Sequence, residues 1–308
     1  MAMAYTTPFI LFYILLTITP SLAESECNEG ATLCWNCPNT GSPSSATFKG
    51  NLKAILFSFS TLLKPQNDVV RYYNMTVGTK PDDQVTAIGL CRGDLIKDPK
   101  LCQSCLNDTA TSVLEKCPTQ KEAIIWAEKC MIRYSNDDSR FHIMENKEPP
   151  KVLKSPKKYT DVSAEKFKEG LESLLDKLIV NASSSVEKYA SGSVNVTASR
   201  SIYSLVQCIP SMSQKECSDC LDESSSMIPD QCCGGVEGAR VLKPSCTIRY
   251  ESGIFYNVTD NTSSNTNYSF EPSKEIGEEK NSKDKTVIPV LSSVIGVVVL
   301  TILVHGFA

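Results

Sequence analysis

Histidine is nearly missing from this 308-residue chain, which has only His142 and His305. Catalytic sets that use imidazole as general base, Ser-His-Asp or Cys-His, therefore cannot be assembled. Basic clusters are equally scarce: 31 Lys and Arg stand against 35 Asp and Glu, for a net charge of −4. Lys151 to Lys158 is the one basic stretch, and it lies among Pro149, Pro150 and Pro156, the composition of a solvated linker and not of a nucleic-acid patch. Nucleic acid is excluded as a partner. Carboxylates are plentiful but fall in no catalytic motif, so the sequence reads as non-enzymatic, with no cofactor and no metal.

Long apolar runs are also absent, except at the two ends. Pro8 to Ile18, followed by Pro20 and by small residues at Ser21 and Ala23, has the layout of a secretory signal peptide, with the mature chain expected to begin at Glu24. The run is too short for a spanning helix, which needs about 20 residues. Val287 to Val304 is 18 residues without a charge, just enough to span. After it comes only His305-Gly306-Phe307-Ala308, with none of the Lys or Arg that usually marks the cytoplasmic side. A single-pass helix and a removable glycolipid-anchor signal both remain open. Either way attachment to a membrane through the C-terminus is expected.

What the chain has in quantity is cysteine: fourteen, in a protein routed to an oxidising compartment, which reads as a disulfide framework. Asn74, Asn107, Asn181, Asn195, Asn257, Asn261 and Asn267 each open an Asn-x-Ser/Thr glycosylation sequon and point to the same compartment. The cysteines repeat. Cys91, Cys102, Cys105, Cys117 and Cys130 are answered by Cys208, Cys217, Cys220, Cys232 and Cys246 at offsets of 115–117 residues. Flanks repeat with them, Cys130-Met131-Ile132-Arg133-Tyr134 against Cys246-Thr247-Ile248-Arg249-Tyr250.

Upstream of each set lies one apolar helical stripe. Phe48, Leu52, Ile55, Leu56 and Phe59 form the first, and Phe167, Leu171, Leu174, Leu175 and Leu178 the second. A further helix is expected to start at Cys102 and at Cys217, and strands are expected at Arg71–Val77, Ala123–Trp126, Met131–Tyr134, Gly238–Leu242 and Ile248–Tyr250. The fold class is α+β: two tandem small domains, each an antiparallel sheet with two helices on one face, stapled by disulfides. The predicted organisation is a signal peptide at 1–23, a first module at 24–148, a linker at 149–160, a second module at 161–259, a stalk at 260–285 and the terminal helix or anchor signal at 286–308.

Cys208-x8-Cys217-x2-Cys220 resembles the signature of the plant ginkbilobin-type domain, found in tandem in cysteine-rich receptor-like kinases, cysteine-rich repeat secretory proteins and plasmodesmata-located proteins. Cys91 to Cys102 carries two more residues, a longer turn on the same plan. The resemblance implies bridges Cys91–Cys102, Cys105–Cys130 and Cys37–Cys117 in the first module, and Cys208–Cys217 and Cys220–Cys246 in the second. Cys27, Cys34, Cys232 and Cys233 stay open between Cys27–Cys34 with Cys232–Cys233 and a link between modules. The Cys-x-x-Cys pairs read as staples and not as redox or zinc sites.

The family also has a mannose-binding antifungal form. Its site uses an Asn, an Arg and a Glu; the Arg and Glu map onto Arg240 in Gly238-Ala239-Arg240-Val241 and Glu251 after Arg249-Tyr250, the Asn after the first cysteine has no counterpart in the second module, and the first module has Ile124 and Ser135 at the Arg and Glu places. The alternative reading of Arg240 and Glu251 is a cross-strand salt bridge. The resemblance thus implies a recognition or adhesion protein at the plant cell surface whose exposed sheet binds a protein partner or cell-wall carbohydrate. Without a kinase domain it would act in stress or defence signalling, or at plasmodesmata, through a partner such as a co-receptor kinase. The alternative is an apoplastic mannose-binding lectin.

Overall fold

The computed structural model describes residues 24–27, 31–38, 44–61, 71–79, 82–137, 149–228, 233–257 and 266–269. The first module contains β1 (Glu24–Glu26), β2 (Leu33–Cys37), α1 (Ala46–Thr61), β3 (Tyr72–Val77), β4 (Val85–Cys91), a 3-10 turn (Gly93–Lys97), α2 (Pro99–Lys116), β5 (Glu122–Ala127) and β6 (Cys130–Ser135). The second contains β7 (Lys151–Lys154), α3 (Ala164–Ser184), β8 (Tyr189–Thr197), β9 (Arg200–Cys208), α4 (Gln214–Ser226), β10 (Gly238–Leu242), β11 (Cys246–Glu251) and β12 (Thr266–Ser269). Each set forms one sheet, in the orders β1-β2-β5-β6-β4-β3 and β12-β8-β9-β11-β10-β7. All pairs are antiparallel except β12 with β8.

Helix boundaries follow from caps. Asp98 accepts from the Leu101 N–H with Pro99 in the first turn, and Ser213 with Glu216 forms a capping box, so α2 and α4 begin three residues before Cys102 and Cys217. The two additional residues of the first module are absorbed by the 3-10 turn and the Asp98 cap. The bridge they precede keeps its span, with Cα atoms 5.6 Å apart in Cys91–Cys102 and 5.8 Å in Cys208–Cys217.

In each sheet one face packs on its helices. Phe48, Ile55, Phe59, Ile125 and Ile132 are in the first core and Phe167, Leu171, Leu178, Val206 and Ile248 in the second. The other faces are covered at their centres and open to solvent only towards the margins. Ile88, Leu90, Ile124, Trp126 and Met131 of the first module join Leu153, Ile209 and Leu242 of the second in a third core. This corrects the expectation of an exposed recognition sheet. Strands such as β4, buried at every position, are apolar on both faces and so need cover on both.

The stretch 149–160, read from its prolines as a linker, holds β7, which pairs with β10 at the sheet edge. Its prolines stand outside the strand, where no ladder hydrogen bond is lost, and Lys151 and Lys154 flank an edge that needs charge. A further correction concerns the repeat. The Tyr134 hydroxyl donates to the Cys117 carbonyl, and Tyr250 donates to that of Cys233. Cys233, not Cys232, therefore occupies the place of Cys117.

The junction between modules is polar at its margins. The Gln207 amide donates to the Cys91 carbonyl and accepts from the Gly93 N–H, both at 2.9 Å. Arg71, 3% exposed, pairs with Glu187 and lies over the Tyr189 ring at 5.1 Å. Gly93 packs so closely on that ring that an added Cβ would fall 2.0 Å from it.

Candidate functional site

Most cysteines serve as staples. The structure joins Cys37 to Cys117, Cys91 to Cys102, Cys105 to Cys130, Cys208 to Cys217 and Cys220 to Cys246, and also Cys27 to Cys34. Cys233 is in a disulfide as well, and Cys232 lies outside the described residues. Each Cys-x-x-Cys sends its two sulfurs to different strands, so neither is a dithiol.

The cation-rich place in the fold is a cleft where the third core opens to solvent, about 70 Å3 in volume and lined from both modules. Its wall is apolar, including Leu90, Trp126, Leu153, Leu205 and Leu242, and its mouth carries Arg92, Glu128, Arg240 and Arg249. The strands place these groups. In β10, Arg240 stands opposite Arg249 of β11 on one side and Leu153 of β7 on the other. Arg92 follows directly on β4, and Glu128 lies in the tight β5–β6 connection.

Two of the arginines are fully engaged. Arg92 grips Asp94 through Nε and Nη2 at 2.6 and 3.0 Å, and donates to the carbonyls of Glu128 and Phe255. Arg249 donates Nε to Glu251 at 2.8 Å and Nη1 to Glu128 at 3.4 Å, which is a link between modules. Both guanidinium groups lie against the Phe255 ring, at 5.7 and 4.3 Å. Asp94 also accepts from the Asn257 N–H. Burial pushes the Glu128 carboxyl up, but Arg249, Arg240 and Arg92 outweigh it and hold Glu128 below its ordinary value.

Arg240 differs. Among the described residues it makes no hydrogen bond and no ion pair. Burial first, and repulsion from Arg249 second, bring its guanidinium down to about 10, more than Glu128 and Glu251 restore. The expected Arg240–Glu251 salt bridge is not formed, because Arg249 shares the strand face with Glu251 and takes its carboxylate. In the first module Ile124 is buried in the third core and Ser135 is fully buried, so no equivalent cleft residue exists there.

Of the sequons, Asn74, Asn107, Asn195 and Asn257 are exposed, Asn181 is half-buried, Asn267 lies in β12 and Asn261 is outside the described residues. None of the described ones lines the cleft. Residues 1–23 and 286–308 also lie outside the description, and among the described residues no helix is long and apolar enough to cross a membrane. The sequence reading missed Arg92, Asp94, Glu128 and Phe255. Arg249 had a signal, the repeated Ile-Arg-Tyr; Phe255 had none.

The profile of the salt stress response/antifungal family matches residues 33–137 and 153–253. The chain is 34% identical over 254 residues to cysteine-rich receptor-like protein kinase 25 of Arabidopsis thaliana, covering 81% of this chain and 35% of the kinase. It thus spans about a third of that relative's length. Among solved structures it resembles the tandem DUF26 ectodomain of the Arabidopsis thaliana cysteine-rich receptor-like protein PDLP5, with a TM-score of 0.55, 25% identity and coverage of 71% of this chain and 98% of that one. The corresponding ectodomain of PDLP8, at 20% identity and the same TM-score over 71% and 97%, shares the fold. With both modules matched and kinase relatives aligned along most of its length, the chain belongs to the salt stress response/antifungal family, as a tandem of two such domains.

Proposed function

We propose that this chain is a non-enzymatic recognition protein of the plant cell surface, whose two modules act as one rigid unit and bind through the cleft between them. The observation that carries the reading is the meeting of Arg92 and Glu128 from the first module with Arg240 and Arg249 from the second at one opening, beside the Phe255 ring. Arginine and aromatic side chains together are the composition of binding hot spots. The receptor-like kinase relatives support an extracellular role with a partner, and the sequence features at the two ends fit delivery through the secretory pathway and retention at the outer face of the membrane. Signalling would then run through that partner, a co-receptor kinase being one class. Release of the chain from intact cells by a phosphatidylinositol phospholipase would identify a glycolipid anchor, and retention a spanning helix.

A second reading is the apoplastic mannose-binding lectin, favoured by the unpartnered Arg240 beside Glu251. It is weakened by the engagement of Glu251 with Arg249. One experiment separates them: the chain displayed on cells is offered a panel of plant receptor ectodomains and a mannan series, as wild type and as Arg240→Glu. Saturable capture of a protein, lost in the variant, supports recognition through the cleft. Mannan binding lost in the variant with no protein captured replaces that reading by the lectin.

A further inference from the structure

The cleft has a chemistry of its own beyond its position between the modules. Its inner wall is hydrocarbon and indole: Trp126, Leu90 and Leu153 keep only 5–6% exposure, and that remainder lines the opening. At about 70 Å3 it has room for more than one water-sized group and opens directly to solvent. A short apolar tail fits the inner wall, whatever larger partner covers the mouth. Water there would find few polar partners along the wall, so displacing it by hydrocarbon is favourable.

At the mouth the acceptor inventory is one-sided. Asp94 is taken up by Arg92 and Asn257, and Glu251 and Glu128 by Arg249. Arg240 and Lys129, both in the lining, have donors without an acceptor among the described residues, and of the two only Arg240 is a planar fork. A guanidinium is a planar fork of donors matched to two oxygens of one carboxylate. A largely desolvated cation with a like charge opposite it on the next strand is only partly offset by Glu128 and Glu251, and an incoming carboxylate would supply the anion that bonds it directly. A neutral or cationic ligand would leave it unbalanced.

We propose that the cleft binds a small amphipathic carboxylate, its headgroup on Arg240 and its short apolar tail between Leu90, Trp126, Leu153, Leu205 and Leu242. The inference rests on the reading of the cleft as the recognition site and names the class of ligand it takes.

The test uses the full chain, titrated calorimetrically with hexanoate, with acetate as the tail-less control and hexan-1-ol as the headless one. Hexanoate is expected to bind at least about tenfold more tightly than either control, with affinity falling as salt rises. Arg240→Met keeps the length of the side chain and removes the charge; it is expected to weaken hexanoate by about tenfold or more. Arg200→Ala, at a half-exposed residue paired with Asp161 and outside the cleft lining, is expected to bind hexanoate as the wild type does and controls for surface charge. No hexanoate binding at millimolar concentration, equal binding of hexan-1-ol, or hexanoate binding unchanged in Arg240→Met would each overturn the proposal. Failure here combined with loss of protein capture by Arg240→Glu leaves the recognition reading standing and removes only the ligand class. Hexanoate binding that depends on Arg240, with protein capture unaffected, keeps the carboxylate site and moves the recognition surface elsewhere.

Discussion

Gln207→Leu is the sharpest probe of whether the two modules are one cooperative body. The Gln207 side chain is 5% exposed and serves a buried N–H and a buried C=O of the first module, those of Gly93 and Cys91, from a strand of the second. Leucine fills similar space but offers neither donor nor acceptor, and water has no easy route to the orphaned groups. Each buried backbone group left unpaired costs about 1–3 kcal/mol, so the variant should lose about 2–5 kcal/mol. For a folded body of this size that is a fall in Tm of roughly 5–15 °C. Scanning calorimetry under non-reducing conditions reads it. The wild type should unfold in one transition, and the variant in one transition at lower temperature, because loss of the junction weakens both modules together. Two separate wild-type transitions, or a variant in which only one half shifts, would refute the claim that the third core joins the modules into one unit.

Other consequences follow from the same contacts. Gly93→Ala places a methyl against the Tyr189 ring, so it should lower Tm by about as much as Gln207→Leu, and Tyr189→Ala in the same chain should restore part of the loss, which a double-mutant cycle would measure. Arg240→Leu should raise stability by about 1–3 kcal/mol, because it removes a cation that burial brings down to about 10; urea unfolding showing a loss would count against Arg240 being unbalanced. Burial raises the hydroxyls of Tyr134 and Tyr250 above the ordinary tyrosine value and Tyr159 to about 12. The stability they contribute is complete below about pH 10 and is lost as pH rises past it; Tyr250→Phe should flatten that alkaline decline, and an unchanged pH profile of unfolding would contradict it.

Much of the fold could be read from residue spacing. The stripes Phe48–Phe59 and Phe167–Leu178 lie on α1 and α3 because a buried helical face must recur every three to four residues. Strands β4, β8 and β9 were not foreseen. Val85–Cys91 is buried on both faces, so it shows no alternation to detect, and Tyr189–Thr197 carries Ser191, Gly192 and Ser193, which resemble a loop. The site was less legible. Arg240 is marked by the resemblance, with Glu251 as its expected salt-bridge partner; Arg249, two residues before Glu251 on the same strand face, takes that carboxylate instead. Glu128 and Phe255 come from connections 127 residues apart in sequence, and no local pattern links them. A junction between two repeats is written in neither repeat alone.

The central claim is that recognition uses both modules at once across the cleft. The most direct measurement is the affinity of the captured partner or ligand for the full chain carrying Glu128→Lys, a change in the first module only, beside Arg240→Glu, a change in the second only. The account predicts that each weakens binding by about tenfold or more while the single unfolding transition is kept. Binding lost in one variant and untouched in the other would contradict it, and would assign recognition to a single module.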